Sequence, residues 1–264
     1  MSTLAQGKAA QAGFSQEEWE ARVNLAACYR LVDHYDMCDM IYNHISLQVP
    51  GEPEAFLINP FGLMYSEITA SSLLKVDIDG KVLYNPWSDY SINKAGYVIH
   101  SAIHAARHDV RCIVHTHTPN GMAVSALKCG LLPITQTAMR FGKVAYHDYE
   151  GVAVDEDERE RLVADLGDCE VMILRNHGLL AVGATVQQAF NNIYRLERSC
   201  RAQILAMSCN TPLETPDPGV VARTNEQLRL QPSADAPGTQ KPYGILEWPA
   251  MLRMLDKKDP SYKE

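Results

Sequence analysis

The chain has 264 residues, room for one large domain or two small ones, and its 46% hydrophobic and 21% charged residues are those of a globular protein with a sizeable core. Its 32 acidic against 24 basic side chains give a net charge of −8 with no Lys/Arg cluster, which argues against nucleic acid and anionic membrane surfaces as partners. The 7 cysteines are odd in number and form no Cys-x-x-Cys pair, the usage of reduced thiols in a cytoplasm rather than of a disulfide framework or a thiolate zinc site.

Residues 1–13 hold no apolar run of the signal-peptide kind and read as a flexible leader, and no stretch of the chain has the apolar length of a membrane span. Ser15 and Glu18 have capping-box spacing, and Trp19, Val23, Ala26, Ala27 and Leu31 follow at helical period, which predicts a helix over 16–35. Ile41, Asn43, Ile45, Leu47 and Val49 fall on one face of a strand, with a partner over Phe56 to Asn59 ended by Pro60 and Gly62. Asp79-Gly80 between apolar residues marks a hairpin over 75–83. Asn93 caps a helix from Lys94 to about Arg107, with Val98, Ala102, Ile103 and Ala106 facing inward.

A buried strand is predicted over 111–117, and Pro119-Asn120-Gly121 turns the chain into another helix. A short strand follows at 144–146. Asp155 and Glu158 repeat the capping-box spacing before a helix to about Leu166. Two strands flank Arg175-Asn176-His177-Gly178, and Thr185 with Gln188 opens a long helix to about Ser208. Residues 211–242 carry six prolines and few large apolar residues, so an extended, partly mobile segment is expected, followed by a short helix over 248–255 and a charged tail. The pattern divides the chain into a leader (1–13), one main domain (14–210) and a C-terminal segment (211–264) packing on that domain or on a neighbouring subunit. Alternating elements with short loops imply an α/β fold with a mixed, mostly antiparallel sheet covered by helices.

His115-Thr116-His117 sits at the end of the apolar strand, where period two turns both imidazoles to one face. His177 lies in the tight turn between Asn176 and Gly178. Three neutral imidazoles leave a metal coordination position open, the pattern of catalytic rather than structural zinc. His100, His104 and His108 share one helix face at i, i+4 spacing, which reads as a packed or partly solvated face. His147 beside Asp148 reads as a loop hydrogen bond.

The runs Asn59-Pro60-Phe61-Gly62, Ile113-Val114-His115-Thr116-His117-Thr118-Pro119 and Leu174-Arg175-Asn176-His177-Gly178 resemble the class II aldolase/adducin family. The likeness is nearest to the adducin head domain. Thr69-Ala70-Ser71-Ser72-Leu73, Val144-Ala145-Tyr146-His147-Asp148-Tyr149 and Met251-Leu252-Arg253-Met254-Leu255-Asp256 extend it. The resemblance implies a three-layer α/β/α fold, a homotetramer, and a divalent metal held by His115, His117 and His177. Zinc is expected first, with Fe2+, Mn2+ or Co2+ as alternatives. The implied chemistry is that of L-fuculose phosphate aldolase and L-ribulose phosphate epimerase: the metal is a Lewis acid that stabilises an enediolate.

Two positions depart from the family. Gly96, in Lys94-Ala95-Gly96, stands where the resemblance implies a Glu acting as general acid/base, and glycine carries no proton. Phe61 stands where the phosphate loop offers a hydroxyl, so backbone N–H groups around Gly62 are left to hold an anion. Lys94 and Tyr149 become the candidate catalytic residues, Lys94 for a substrate carboxylate and Tyr149 as proton donor. Asn43, Asn59 and Gly62 are the candidate substrate contacts. The expected function is a metal-dependent aldolase-type lyase on a small hydroxy-carbonyl compound. A non-haem iron oxygenase on the same scaffold and a non-catalytic adducin-like interaction protein are the alternatives.

Overall fold

The computed structural model describes residues 13–151, 156–232 and 240–264. The expected leader lies outside them but for its last residue, as do Asp155 and the middle of the proline-rich segment. Ser15 Oγ accepts the Glu18 amide at 3.1 Å and opens α1 (Gln16–His34), as its capping-box spacing predicts. β1 (His44–Val49) and β2 (Glu52–Ile58) follow. β3 (Leu74–Asp77) and β4 (Val82–Tyr84) form the hairpin expected at Asp79-Gly80, where Gly80 takes a φ of +90°. Next come α2 (Lys94–Ala106), β5 (Cys112–Thr116), α3 (Pro119–Ser125), α4 (Gln136–Met139), β6 (Ala145–His147) and α5 (Glu156–Leu166). β7 (Val171–Leu174), β8 (Gly178–Gly183) and the long α6 (Val186–Ser208) complete the main domain.

Eight strands form one sheet in the order β4-β3-β2-β1-β5-β8-β7-β6. Every neighbouring pair is antiparallel except β6 with β7. Alternation sorts the side chains to two faces. Ile45, Leu47, Cys112 and Val114 pack with residues of α1 and α6, including Leu25, Leu31, Phe190 and Ile193. Ile113, Leu180 and Val182 pack on the other face with Ile99 and Ile103 of α2 and Leu162 and Leu166 of α5. This is the three-layer α/β/α arrangement expected from the sequence. Because both faces are covered, all six residues of β1 are buried, polar ones included. Among the described residues no helix is long and apolar enough to cross a membrane.

Two local expectations change. Ala106 is exposed rather than inward, although Ile103 and His104 of the same last turn stay buried. The proline-rich segment holds a helix, α7 (Pro218–Gln227): Asp217 Oδ1 accepts the Gly219 amide at 2.7 Å and Pro218 sits at the first helical position, a start signal hidden by the proline count. A strand pair, β9 (Leu230–Pro232) with β10 (Gln240–Pro242), follows. The last helix, α8, runs Trp248–Lys258, and the charged end after it packs on the main domain. Tyr262 is fully buried, its carbonyl accepts the Ala70 amide at 3.0 Å, and its hydroxyl meets Asp256 at 2.8 Å.

Candidate metal centre

β5 delivers His115 to the α2 face of the sheet, in line with Ile113, and His117 follows one residue after the strand ends. Thr118 caps α3, and Glu197 of α6 accepts from both Thr118 Oγ1 and Asn120 Nδ2, the latter at 2.8 Å, which clamps the loop behind His117. His177 is set by the β7–β8 turn. Asn176 takes a φ of +56°, a left-handed conformation that Asn tolerates better than most residues. Gly178 is required by close approach: a Cβ there would lie 2.5 Å from the Thr116 carbonyl oxygen and 3.2 Å from His117 Cδ2.

The three imidazoles converge. His115 Nε2 is 2.8 Å from His117 Nε2, which is 2.9 Å from His177 Nε2. The orienting bonds lie on the far nitrogens. The Leu179 carbonyl accepts from His115 Nδ1 at 2.9 Å, and Asp39 Oδ2 accepts from His117 Nδ1 at 3.1 Å. An N–H at each Nδ1 leaves a lone pair at each of these Nε2 atoms. Burial, with the neighbouring imidazoles adding to it, pushes His115 well below the usual histidine range and His177 down to about 4. The neutral imidazole is the form that ligates. A divalent cation fits this donor set: all three ligand atoms lie within 4.8 Å of one another, and three ligands leave a position open.

Asp39 was not among the residues expected at the site. It belongs to a loop held by Asn43, whose Oδ1 accepts the Asp39 amide at 2.6 Å. Asn43 Nδ2 is buried and has no hydrogen-bond partner among the described residues. Asn59 is buried and joined to Tyr29, with Oδ1 accepting from the Tyr29 hydroxyl at 2.9 Å. Gly62 takes a φ of +122° under the Tyr90 ring, and the preceding Phe61 amide donates to the Ser91 carbonyl at 2.7 Å. Lys94 is exposed in the first turn of α2. Tyr149 is 55% exposed and borders a narrow cleft shared with His147, Glu158, Arg175 and His177. His147 pairs with Asp165 at 2.8 Å rather than with Asp148, because Nδ1 faces α5.

A fourth histidine borders the triad. His44 pairs across the β1–β5 ladder with His115, and their ring centroids are 4.8 Å apart. Burial, reinforced by His117 and His177, pushes it down to about 3. A Cβ at position 96 would fall 2.4 Å from His44 Cδ2 and 2.7 Å from Nε2, so the ring needs glycine there. Of the helix histidines, His100 and His104 are buried against β1, whereas His108 lies exposed beyond the helix.

Residues 23–204 match the family described as Class II Aldolase and Adducin N-terminal domain. The chain belongs to this family. The crystal structure of an aldolase II superfamily protein from Pseudomonas syringae is similar to it at 51% identity and a TM-score of 0.87, covering 96% of this chain and 99% of that one. The L-fuculose 1-phosphate aldolase of Glaciozyma antarctica superposes with a TM-score of 0.81 at 27% identity over 94% of each chain. Alpha-adducin of Rattus norvegicus is 46% identical over 89% of this chain, which spans 33% of that longer protein.

Proposed function

We propose that the protein is a divalent-metal-dependent lyase of the class II aldolase type, acting on a small hydroxy-carbonyl compound, with a carboxylate-bearing substrate favoured over a sugar phosphate. The observation that carries this reading is the convergence of three Nε2 atoms whose Nδ1 atoms are engaged, for two of the three rings, by Leu179 and Asp39. When bound, the metal supplies Lewis-acid polarisation of a substrate carbonyl. Zinc suits three imidazoles, and Fe2+, Mn2+ and Co2+ compete for them.

In this reading His115, His117 and His177 hold the ion, and the Asp39 carboxylate fixes the His117 ring. Asn43 Nδ2, a buried donor with no partner among the described residues, donates to a substrate oxygen. Tyr149 supplies a proton from the cleft wall and Lys94 meets a substrate carboxylate. Asn59 is a further substrate contact, its side chain held by Tyr29, and the backbone at Gly62 is left for a weak anion contact. The assembly is a homotetramer, and its place is the cytoplasm.

Elemental analysis of protein purified without added metal tests the reading: one metal ion per chain is expected, with loss of aldehyde or pyruvate release from hydroxy-acid pools after chelation. Protein free of metal whose stability ignores chelators would overturn it. The 46% identity to alpha-adducin supports a second reading, a non-catalytic interaction protein. That reading predicts bound metal at most, and no product release from any hydroxy-carbonyl pool. Iron with oxygen consumption would instead identify an oxygenase.

A further inference from the structure

A chain of buried polar groups runs away from the triad between β1 and α2. His44 Nδ1 lies 2.8 Å from His100 Nε2, His100 Nδ1 bonds Ser46 Oγ, and Ser46 Oγ lies 2.8 Å from His104 Nε2. All four residues are buried, His100 and Ser46 completely. No hydrogen bond among the described residues engages His44 Nε2, and that edge of the ring lies over Gly96 beside the triad.

The direction of the chain follows from its parts. A serine hydroxyl between two imidazoles donates to one and accepts from the other, so all the donors point the same way. Ser46 occupies His104 Nε2, and His104 Nδ1 is buried with no hydrogen bond among the described residues; the Val110 backbone near the ring acts on it as an acceptor, which favours N–H on the Nδ1 side. His44 Nδ1 therefore donates to His100 Nε2, His100 Nδ1 donates to Ser46 Oγ, and Ser46 donates to His104 Nε2. His44 Nε2 keeps a lone pair. Three rings buried this deeply are neutral, so the chain fixes an orientation and does not store a proton.

We propose that His44 is a substrate-contacting residue of this site, its Nε2 accepting a hydrogen bond from the hydroxyl of a small α-hydroxy carboxylate held beside His115, His117 and His177. The proposal rests on the metal-site reading above. A neutral acceptor gives the hydroxyl a partner without adding negative charge, so a substrate carboxylate meets no repulsion from this position. His100, Ser46 and His104 are positioning residues: they hold the tautomer that leaves Nε2 unprotonated. Gly96 is what admits the ring.

The test uses the full chain loaded with Co2+, whose visible absorption reports ligands entering the metal's coordination sphere. Glycolate offers a carboxylate and a hydroxyl; oxalate offers carboxylates alone. Wild-type protein, His44→Phe and Gly96→Ala are titrated with each. Phe keeps the ring and removes the acceptor, whereas the Ala methyl displaces the ring and leaves its bond to His100 possible. A buried hydroxyl left without its acceptor loses about 5- to 100-fold in affinity. Glycolate binding should weaken by that factor in both variants, with oxalate within about twofold of wild type and one cobalt per chain throughout. If His44→Phe fails to fold, Gly96→Ala decides. Unchanged glycolate affinity, or equal loss for both ligands, overturns the role of His44 while the metal site stands. Wild-type protein that binds no cobalt overturns the metal site itself, and the proposal with it.

Discussion

Lowering the pH should unfold this protein through its buried histidines. His44 and His104 are held at about 3 by burial, against an unfolded value of about 6.5. The folded form thus refuses a proton that the unfolded chain accepts. Stability is fully present above pH 6.5 and is lost as pH falls from there toward 3. Between pH 7.5 and pH 5 each such group removes about 2 kcal/mol. His44 and His104 together remove roughly 4 kcal/mol, and His100, also pushed well down by burial, acts in the same direction. That is a large fraction of the ~5–15 kcal/mol that stabilises an ordinary domain. Urea unfolding of chelator-treated protein at pH 7.5, 6 and 5 measures it. The midpoint should fall steadily with pH at constant slope. His104→Phe, whose ring packs on Phe56 as the imidazole does, should reduce the stability lost between pH 7.5 and 5 by about 2 kcal/mol. A midpoint that stays put between pH 7.5 and 5, or a variant as acid-sensitive as wild type, would refute the reasoning.

Two further perturbations probe the metal centre. Gly178→Ala drives a methyl into the Thr116 carbonyl and against His117, so metal content should drop well below one ion per chain, with a stability cost of about 1–3 kcal/mol by thermal unfolding. Asp39→Asn keeps all three ligands but weakens the hold on the His117 ring, and competition against a chromophoric chelator should show ~10–100-fold weaker binding at unchanged stoichiometry.

Much of the frame was legible because its signals are local. The Ser15 cap, the Asp79-Gly80 turn and the apolar run before His115 each act within a few residues, and each element formed where its signal stands. The triad was legible for the same reason at two of its three positions, since strand period alone puts His115 and His117 on one side. Asp39 was not, because nothing local shows that a turn 78 residues earlier in the chain reaches His117. His44 was half visible. Apolar Ile45, Leu47 and Val49 take one face of β1, which leaves His44 and Ser46 on the other, and His100 with His104 form a polar stripe of matching length on α2. Two such stripes satisfy each other only by facing, but their register depends on how the helix crosses the sheet. The buried Tyr262 was illegible, since charge and closeness to the end of the segment outweighed one aromatic residue in any local reading.

The contact between Gly96 and His44 also constrains how this site can change by single steps. A side chain gained at position 96 lands on the imidazole while His44 is present. Losing the imidazole first opens a void beside His115 and strands the His100 nitrogen that it satisfied. Either order passes through a damaged intermediate, so the two positions form an epistatic lock. Exchanging this histidine for an acidic side chain on α2 requires both substitutions together, and a double-mutant cycle across the pair should show strong positive coupling.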